Sequence, residues 1–179
     1  LSAWRASNCN TEHFHRFTLF YGGGNHDFGF YVNGGQFDYC SVYGIGPDRS
    51  MIVYQDSSDS REMAWNGCYL EGGQEQGFAV RGSNVHIKGC TFNDCSQIYS
   101  REWVDGFFMS DCDLYETNLL PYNSTNNGSR GVFIDNVRMT DSKIDIGAAC
   151  TDVRVRDVNM RITARPRNQT SQTEITATF

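Results

Sequence analysis

Apolar residues recur along this chain in an eight-residue pattern: apolar, x, apolar, x, small or polar, apolar, x, apolar. The pattern alternates with period two, slips once and resumes. Six copies follow one another: "FDYCSVYG" from Phe37, "MAWNGCYL" from Met63, "VHIKGCTF" from Val85, "FFMSDCDL" from Phe107, "VFIDNVRM" from Val132 and "VRVRDVNM" from Val153. Their starts lie 26, 22, 22, 25 and 21 residues apart, a period that belongs to stacked repeat architectures. Strict alternation predicts half-buried strands whose first and third residues point inward. A shorter apolar stretch precedes most copies, among them "GFYVNG" from Gly29, "SMIVYQ" from Ser50, "GFAVRG" from Gly77, "IYSR" from Ile98 and "SKIDIG" from Ser142. Each repeat is therefore expected to carry three short strands joined by a sharp turn, a bend and variable loops. Apolar residues at i, i+3, i+4 and i+7 do not recur over long runs, so little helix is expected.

The slip falls at Ser41, Gly67, Gly89, Asp111, Asn136 and Asp157. Gly, Asn and Asp best tolerate a left-handed backbone. One such residue turns the chain sharply and lets the next side chain point inward again, so the slip reads as a corner. With coils stacked about 4.8 Å apart, the position after the corner forms an interior ladder: Val42, Cys68, Cys90, Cys112, Val137 and Val158. Cysteine stands there where valine does, which makes these thiols small buried hydrophobes. The total of seven cysteines is odd and argues against a complete disulfide framework. Free thiols and synthesis in a reducing compartment are expected, with Cys95 and Cys150 in loops and the pairing of Cys9, Cys40, Cys95 and Cys150 left open.

A chain of 179 residues, 39% hydrophobic and 13% aromatic, has enough apolar material for one domain with a real core. Its 21 acidic against 15 basic residues give a net charge of −6 without any Lys/Arg run. This argues against nucleic acid or an anionic membrane as the main partner. No stretch approaches the ~20 apolar residues of a membrane span. The chain begins at Leu1 and not at a methionine, so it is expected to be processed or part of something longer. The sequons at Asn123, Asn127 and Asn168 occur about as often as the Asn, Ser and Thr content produces by chance.

A coil of three short strands with one repeated corner resembles the right-handed parallel β-helix of the pectate-lyase-like superfamily. A β-sandwich or Greek-key barrel would have no reason to repeat the corner residue in every coil. The resemblance implies an all-β, single-stranded, right-handed parallel β-helix (solenoid) of about six to seven coils over residues 28–162. Residues 1–27 would form an N-terminal segment or first partial coil. Residues 163–179 would be a polar tail or the start of a further segment. Buried free cysteines on such a scaffold also resemble the shaft of a bacteriophage tailspike. That resemblance implies a homotrimeric, virion-tail receptor-binding protein, made in host cytoplasm, that recognises and in some cases depolymerises an acidic or neutral bacterial polysaccharide. Two alternatives remain: a stand-alone extracellular polysaccharide lyase, hydrolase or epimerase, and a non-catalytic adhesin or structural solenoid.

In this superfamily the glycan lies along the outer face formed by the first strand of each coil. Alternation puts Phe78, Val80, Ile98 and Ser100 inward, and Ala79, Arg81, Tyr99 and Arg101 outward. Arg81 and Arg101 on neighbouring coils, beside Tyr99 and Trp103, would bind an acidic sugar through bidentate carboxylate recognition and ring stacking. Glu102, Asp105 and Asp56 are the candidate catalytic carboxylates. A hydrolase needs two of them ~5 to ~9.5 Å apart. A lyase needs a base and a cation, which Arg81, Arg101 or a calcium ion held by the same acids would supply; no other cofactor is implied. The same residues equally suit solvated salt bridges along a charged face.

The stretch at 115–130, "YETNLLPYNSTNNGSR", reads as a long loop with an apolar centre that walls a groove or contacts a neighbouring subunit. In "EHFHRF", His13 and His15 would share a face of a strand, and His26 follows. No Cys or acidic ligand of defined spacing accompanies them, so no metal site is assigned. His86 is placed on the outward side of its strand.

Overall fold

A computed structural model describes residues 2–5, 13–21, 27–32, 35–44, 49–55, 62–72, 77–121, 129–147, 150–163 and 175–178. At 2–5, 21, 27–32, 49–55, 81–82, 101–103 and 175–178 the description is of the backbone. Fifteen strands and no helix make up these residues, so no helix among them could cross a membrane. In chain order they are β1 (Ser2–Arg5), β2 (His13–His15), β3 (Thr18–Tyr21), β4 (Asp27–Val32), β5 (Gly35–Asp38), β6 (Ser41–Gly44), β7 (Arg49–Gln55), β8 (Met63–Asn66), β9 (Tyr69–Glu71), β10 (Gly77–Lys88), β11 (Thr91–Ser110), β12 (Asp113–Leu120), β13 (Arg130–Thr140), β14 (Thr151–Ile162) and β15 (Ile175–Thr178). Every pairing from β1 to β14 is parallel and joins one coil to the next. The chain is an all-β parallel solenoid of about five turns. At its C-terminal end β15 runs antiparallel to the last residues of β14, pairing Asn159 with Thr178 and Ile162 with Ile175.

The corners are left-handed, as the slip in the alternation requires. Gly67, Gly89, Asp111, Asn136 and Asp157 have φ of 60°, 62°, 56°, 50° and 52°. The first copy, however, is displaced by two residues from its expected frame. Phe37 pairs with Trp65 and Val42 with Leu70, so the corner is Tyr39, at φ 54°, and not Ser41. The residue after that corner is Cys40, and Val42 belongs to the next inward position. A further corner stands at Arg16, φ 52°, because "HFHR" forms the corresponding strand one coil earlier. Tyr and Arg carry no intrinsic preference for this conformation, which is why their corners leave no mark in the sequence pattern.

Each coil turns at more than one vertex. A second set of left-handed residues, Gly72, Asp94, Glu116 and Asp141, and a third, Asn84, Gly106, Gly131 and Asp152, punctuate the segments between copies. Cys95 and the 115–120 segment are therefore strand, not loop. Cys95, Leu119 and Thr117 are fully buried, and Leu119 lies in register with Ile98.

The post-corner ladder reads Cys40, Cys68, Cys90, Cys112, Val137 and Val158, each at most 2% exposed. A sharp corner leaves carbonyls that the straight sheet ladder does not satisfy, and a thiol is a weak donor. The Cys68 thiol points between the carbonyls of Phe37 and Asn66 at 3.3 and 3.4 Å, and that of Cys90 between Trp65 and Lys88 at 3.3 and 3.4 Å. The sulfur in turn accepts the N–H of the preceding coil, Cys40 onto Cys68 and Cys68 onto Cys90, both at 3.4 Å. The second vertex repeats the device with oxygen. Thr117 Oγ1 donates to Tyr115 O at 2.9 Å and accepts Cys95 N–H at 3.1 Å; Ser142 Oγ accepts Thr117 N–H at 3.0 Å. All described cysteines are free thiols.

Burial pushes the Cys90 and Cys95 thiols well above their ordinary value of 9.0. These groups stay protonated in the fold and ionise in the unfolded chain first. Their contribution is therefore complete below about pH 9 and is lost as pH rises above it, at up to about 1.4 kcal/mol per pH unit for each thiol. Urea unfolding is expected to give a flat stability between pH 7 and 8.5 and a steep fall above about 9. A midpoint that does not move between pH 8 and 10.5 would contradict this burial.

The interior is aromatic at the N-terminal end and aliphatic towards the C-terminus. One inward ladder runs Phe14, Phe37, Trp65, Ile87, Met109, Ile134 and ends at Val155, which the last coil leaves 37% exposed. Phe37 stacks on Trp65 with centroids 3.9 Å apart and on Phe14 at 4.9 Å. Phe78 then meets Trp65 and Phe92 edge-on at 5.3 and 5.4 Å.

Candidate functional site

Parallel stacking in register turns each outward position into a row along the solenoid. On the face built from β2, β5, β8, the second halves of β10 and β11 and the first halves of β13 and β14, one outward row is His13, Gln36, Ala64, His86, Phe108, Phe133, Arg154. The adjacent outward row is His15, Asp38, Asn66, Lys88, Ser110, Asp135, Arg156. These rows occupy the second and fourth positions of the repeat, where polar residues are the rule and Ala64, Phe108 and Phe133 break it.

The rings in the first row stack. His86 lies over Phe108 at 4.6 Å and 7°, Phe108 over Phe133 at 5.1 Å and 7°, and the Arg154 guanidinium over Phe133 at 5.4 Å. Beside them Arg156 grips Asp135 with both ends of its fork, Nε to Oδ1 at 2.8 Å and Nη2 to Oδ2 at 2.6 Å. That bond holds the Asp135 carboxyl below the usual carboxylate range. A shallow cleft of about 280 Å³ opens among Phe108, Phe133, Ile134, Asp135, Arg154 and Arg156. Phe108 and Phe133 are half-buried, while Arg154 and Arg156 are exposed.

No family model, curated protein or solved structure matches the chain. The cleft offers two parallel apolar rings, two guanidinium groups and one ionised carboxylate. Rings take the C–H face of a flat or chair-shaped ligand, and guanidinium groups take its anionic substituents. An ionised Asp135 tied to Arg156 is not a proton donor at neutral pH.

The residues expected from sequence lie elsewhere. Asp56 is outside the described residues. Arg81 lies in β10, and Arg101, Glu102 and Trp103 in β11, where the backbone alone is described. The register shifts between Val80 and Gly82, from Ser100 to Val104, so the ladder is broken where Arg81 and Arg101 stand. Tyr99 is half-buried, and burial pushes its phenol up to about 12. Ala79, expected to face outward, is fully covered, although it is not part of the central cluster. It lies in register with Tyr99. Asp105 is exposed, one residue before the Gly106 corner, in register with Ser83 and Arg130. Ile98 and Ser100 face inward as alternation requires, both at 0% exposure.

The face with the cleft is thus the neighbour of the one expected. Its signal was in the repeats, "FFMS" and "VFID", where Phe108 and Phe133 occupy an outward position. The same rows also bring Asp38 beside His13 and His15, a juxtaposition that sequence spacing does not show because the aspartate arrives from the next coil.

Proposed function

We propose that this solenoid is a glycan-binding module of the tailspike-shaft kind within the pectate-lyase-like superfamily, and that it recognises an acidic bacterial surface polysaccharide. The observation that carries the reading is the row His86, Phe108, Phe133, Arg154 around the cleft with Asp135 and Arg156. Successive rings sit one coil apart, a spacing comparable with the length of one sugar unit, so a polysaccharide laid along the axis meets a ring at each step. Carboxylates on that chain would meet Arg154, beside the Arg156–Asp135 pair.

The buried free thiols favour synthesis in a reducing compartment over a secreted, disulfide-bonded enzyme. That supports the receptor-binding reading over a stand-alone extracellular lyase, hydrolase or epimerase. The reading carries with it a homotrimer at a virion tail. Any catalysis would fall to the carboxylates Glu102, Asp105 and Asp56.

The test is incubation with a panel of acidic and neutral bacterial exopolysaccharides, following binding, new reducing ends and absorbance from unsaturated uronate. At least one acidic polymer should bind, and Arg154→Ala should weaken it by about tenfold. Product formed and then lost in Glu102→Gln would place depolymerisation beside binding; binding with no product would leave a receptor-binding module or adhesin. If no polymer binds, the glycan reading falls.

A further inference from the structure

The first coils carry a cluster that the glycan cleft does not use. His13 and His15 lie two apart on β2 and so point to the same outward face. β2 pairs with β5 so that His13 stands beside Gln36 and His15 beside Asp38. One donor atom from each of His13, His15 and Asp38 lies within 4.8 Å of the others. We propose that these three residues bind a divalent transition-metal ion of the zinc, nickel or copper class on the outside of the solenoid.

The donor set selects that class. Two imidazoles and one carboxylate suit Zn, Ni or Cu, whereas Ca and Mg take oxygen ligands almost alone. The carboxylate is held in place before any ion arrives. Asn66 Nδ2 donates to Asp38 Oδ1 at 2.8 Å, and Gln36 Nε2 donates to Oδ2 at 2.8 Å. Such outer partners orient a ligand and are part of a working metal site. The His15 ring is braced edge-on by Tyr39, with centroids 5.9 Å apart.

His13 Nε2 lies 2.7 Å from Asp38 Oδ2. An ion entering between them replaces that hydrogen bond with two metal bonds, while the amides of Asn66 and Gln36 keep Asp38 in position. An ion pair would need only His13 and Asp38. The third donor, His15, completes one face of a coordination sphere and leaves at least one position for water or an outside ligand, the arrangement of an open site and not a closed structural one. The ion would tie β2 to β5 across successive coils.

The full chain is stripped with a chelator, dialysed and titrated calorimetrically with zinc, nickel and calcium chlorides in turn. One equivalent of zinc or nickel should bind and raise Tm by a few degrees, since a ligand of the folded state stabilises it, with calcium giving neither effect. His15→Ala and Asp38→Asn should each weaken zinc binding by at least about tenfold, and His86→Ala should not. Cobalt serves as a second readout that needs no variant. Its visible spectrum should show nitrogen and oxygen ligands without the near-ultraviolet thiolate band. Absence of zinc binding by the stripped wild type, undiminished binding in both variants, or a thiolate band would each overturn the site.

Discussion

Gly77→Ala is expected to destabilise the fold by at least about 3 kcal/mol, while Gly89→Ala costs only about 1 kcal/mol. Both glycines have positive φ, 44° and 62°, so both substitutions carry the penalty of a left-handed L-residue. They differ in what surrounds the new methyl group. A Cβ at Gly89 would have Gly67 N and Cα as its nearest neighbours, at 3.8 and 3.9 Å, which is ordinary contact. At Gly77 it would lie 1.8 Å from Cys95 O and 2.3 Å from Gln97 O. Those are backbone atoms of β11, which cannot turn aside like a side chain without loosening the ladder between β10 and β11. Urea denaturation of the two variants checks the contrast; equal midpoints would mean that β10 and β11 do not approach this closely.

Trp65→Ala should cost about 3–5 kcal/mol, the largest effect expected from truncating any described core side chain. Among the described residues Trp65 is the largest fully buried side chain, at 0% exposure. It sits between Phe37, stacked at 3.9 Å, and Phe78, edge-on at 5.3 Å, so its removal opens a cavity spanning two coils. A solenoid contacts itself only through neighbouring coils, and no distant element can collapse into that space. Ile134→Val, in the same ladder three coils on, should cost only about 1 kcal/mol. The comparison is made by thermal and urea unfolding; a loss below about 1 kcal/mol for Trp65→Ala would contradict the stacked interior.

The solenoid was legible because a corner leaves two marks at once. Gly89, Asp111, Asn136 and Asp157 are residues that accept a positive φ, and each is followed by a small inward residue that resumes the alternation. Where either mark is missing the reading slipped. Tyr39 and Arg16 turn the same corner without a helpful residue type, which displaced the first copy by two and hid the coil before it. Glu116 and Asp141 turn the second vertex, and without recognising it the strand at 115–120 looked like a loop.

The candidate site was harder to read, because outward residues obey no periodicity and meet only through register. Phe108 and Phe133 are 25 residues apart in sequence and 5.1 Å apart between ring centroids. Arg81 and Arg101 looked equivalent from spacing, but the register shift after Val80 lies between them. Asp38 reaches His15 by the same coil-to-coil pairing, which no local motif announces.

The most direct test of the glycan-binding face is affinity electrophoresis through gels containing acidic bacterial polysaccharide. The double variant Phe108→Ala/Phe133→Ala is compared with Tyr115→Ala, an exposed ring on a different face, and circular dichroism confirms that each is folded. The account predicts that the wild type and Tyr115→Ala are retarded alike, and that the double variant loses most of its retardation. Retardation unchanged in the double variant, or lost only in Tyr115→Ala, would show that the glycan does not lie along the row of Phe108 and Phe133.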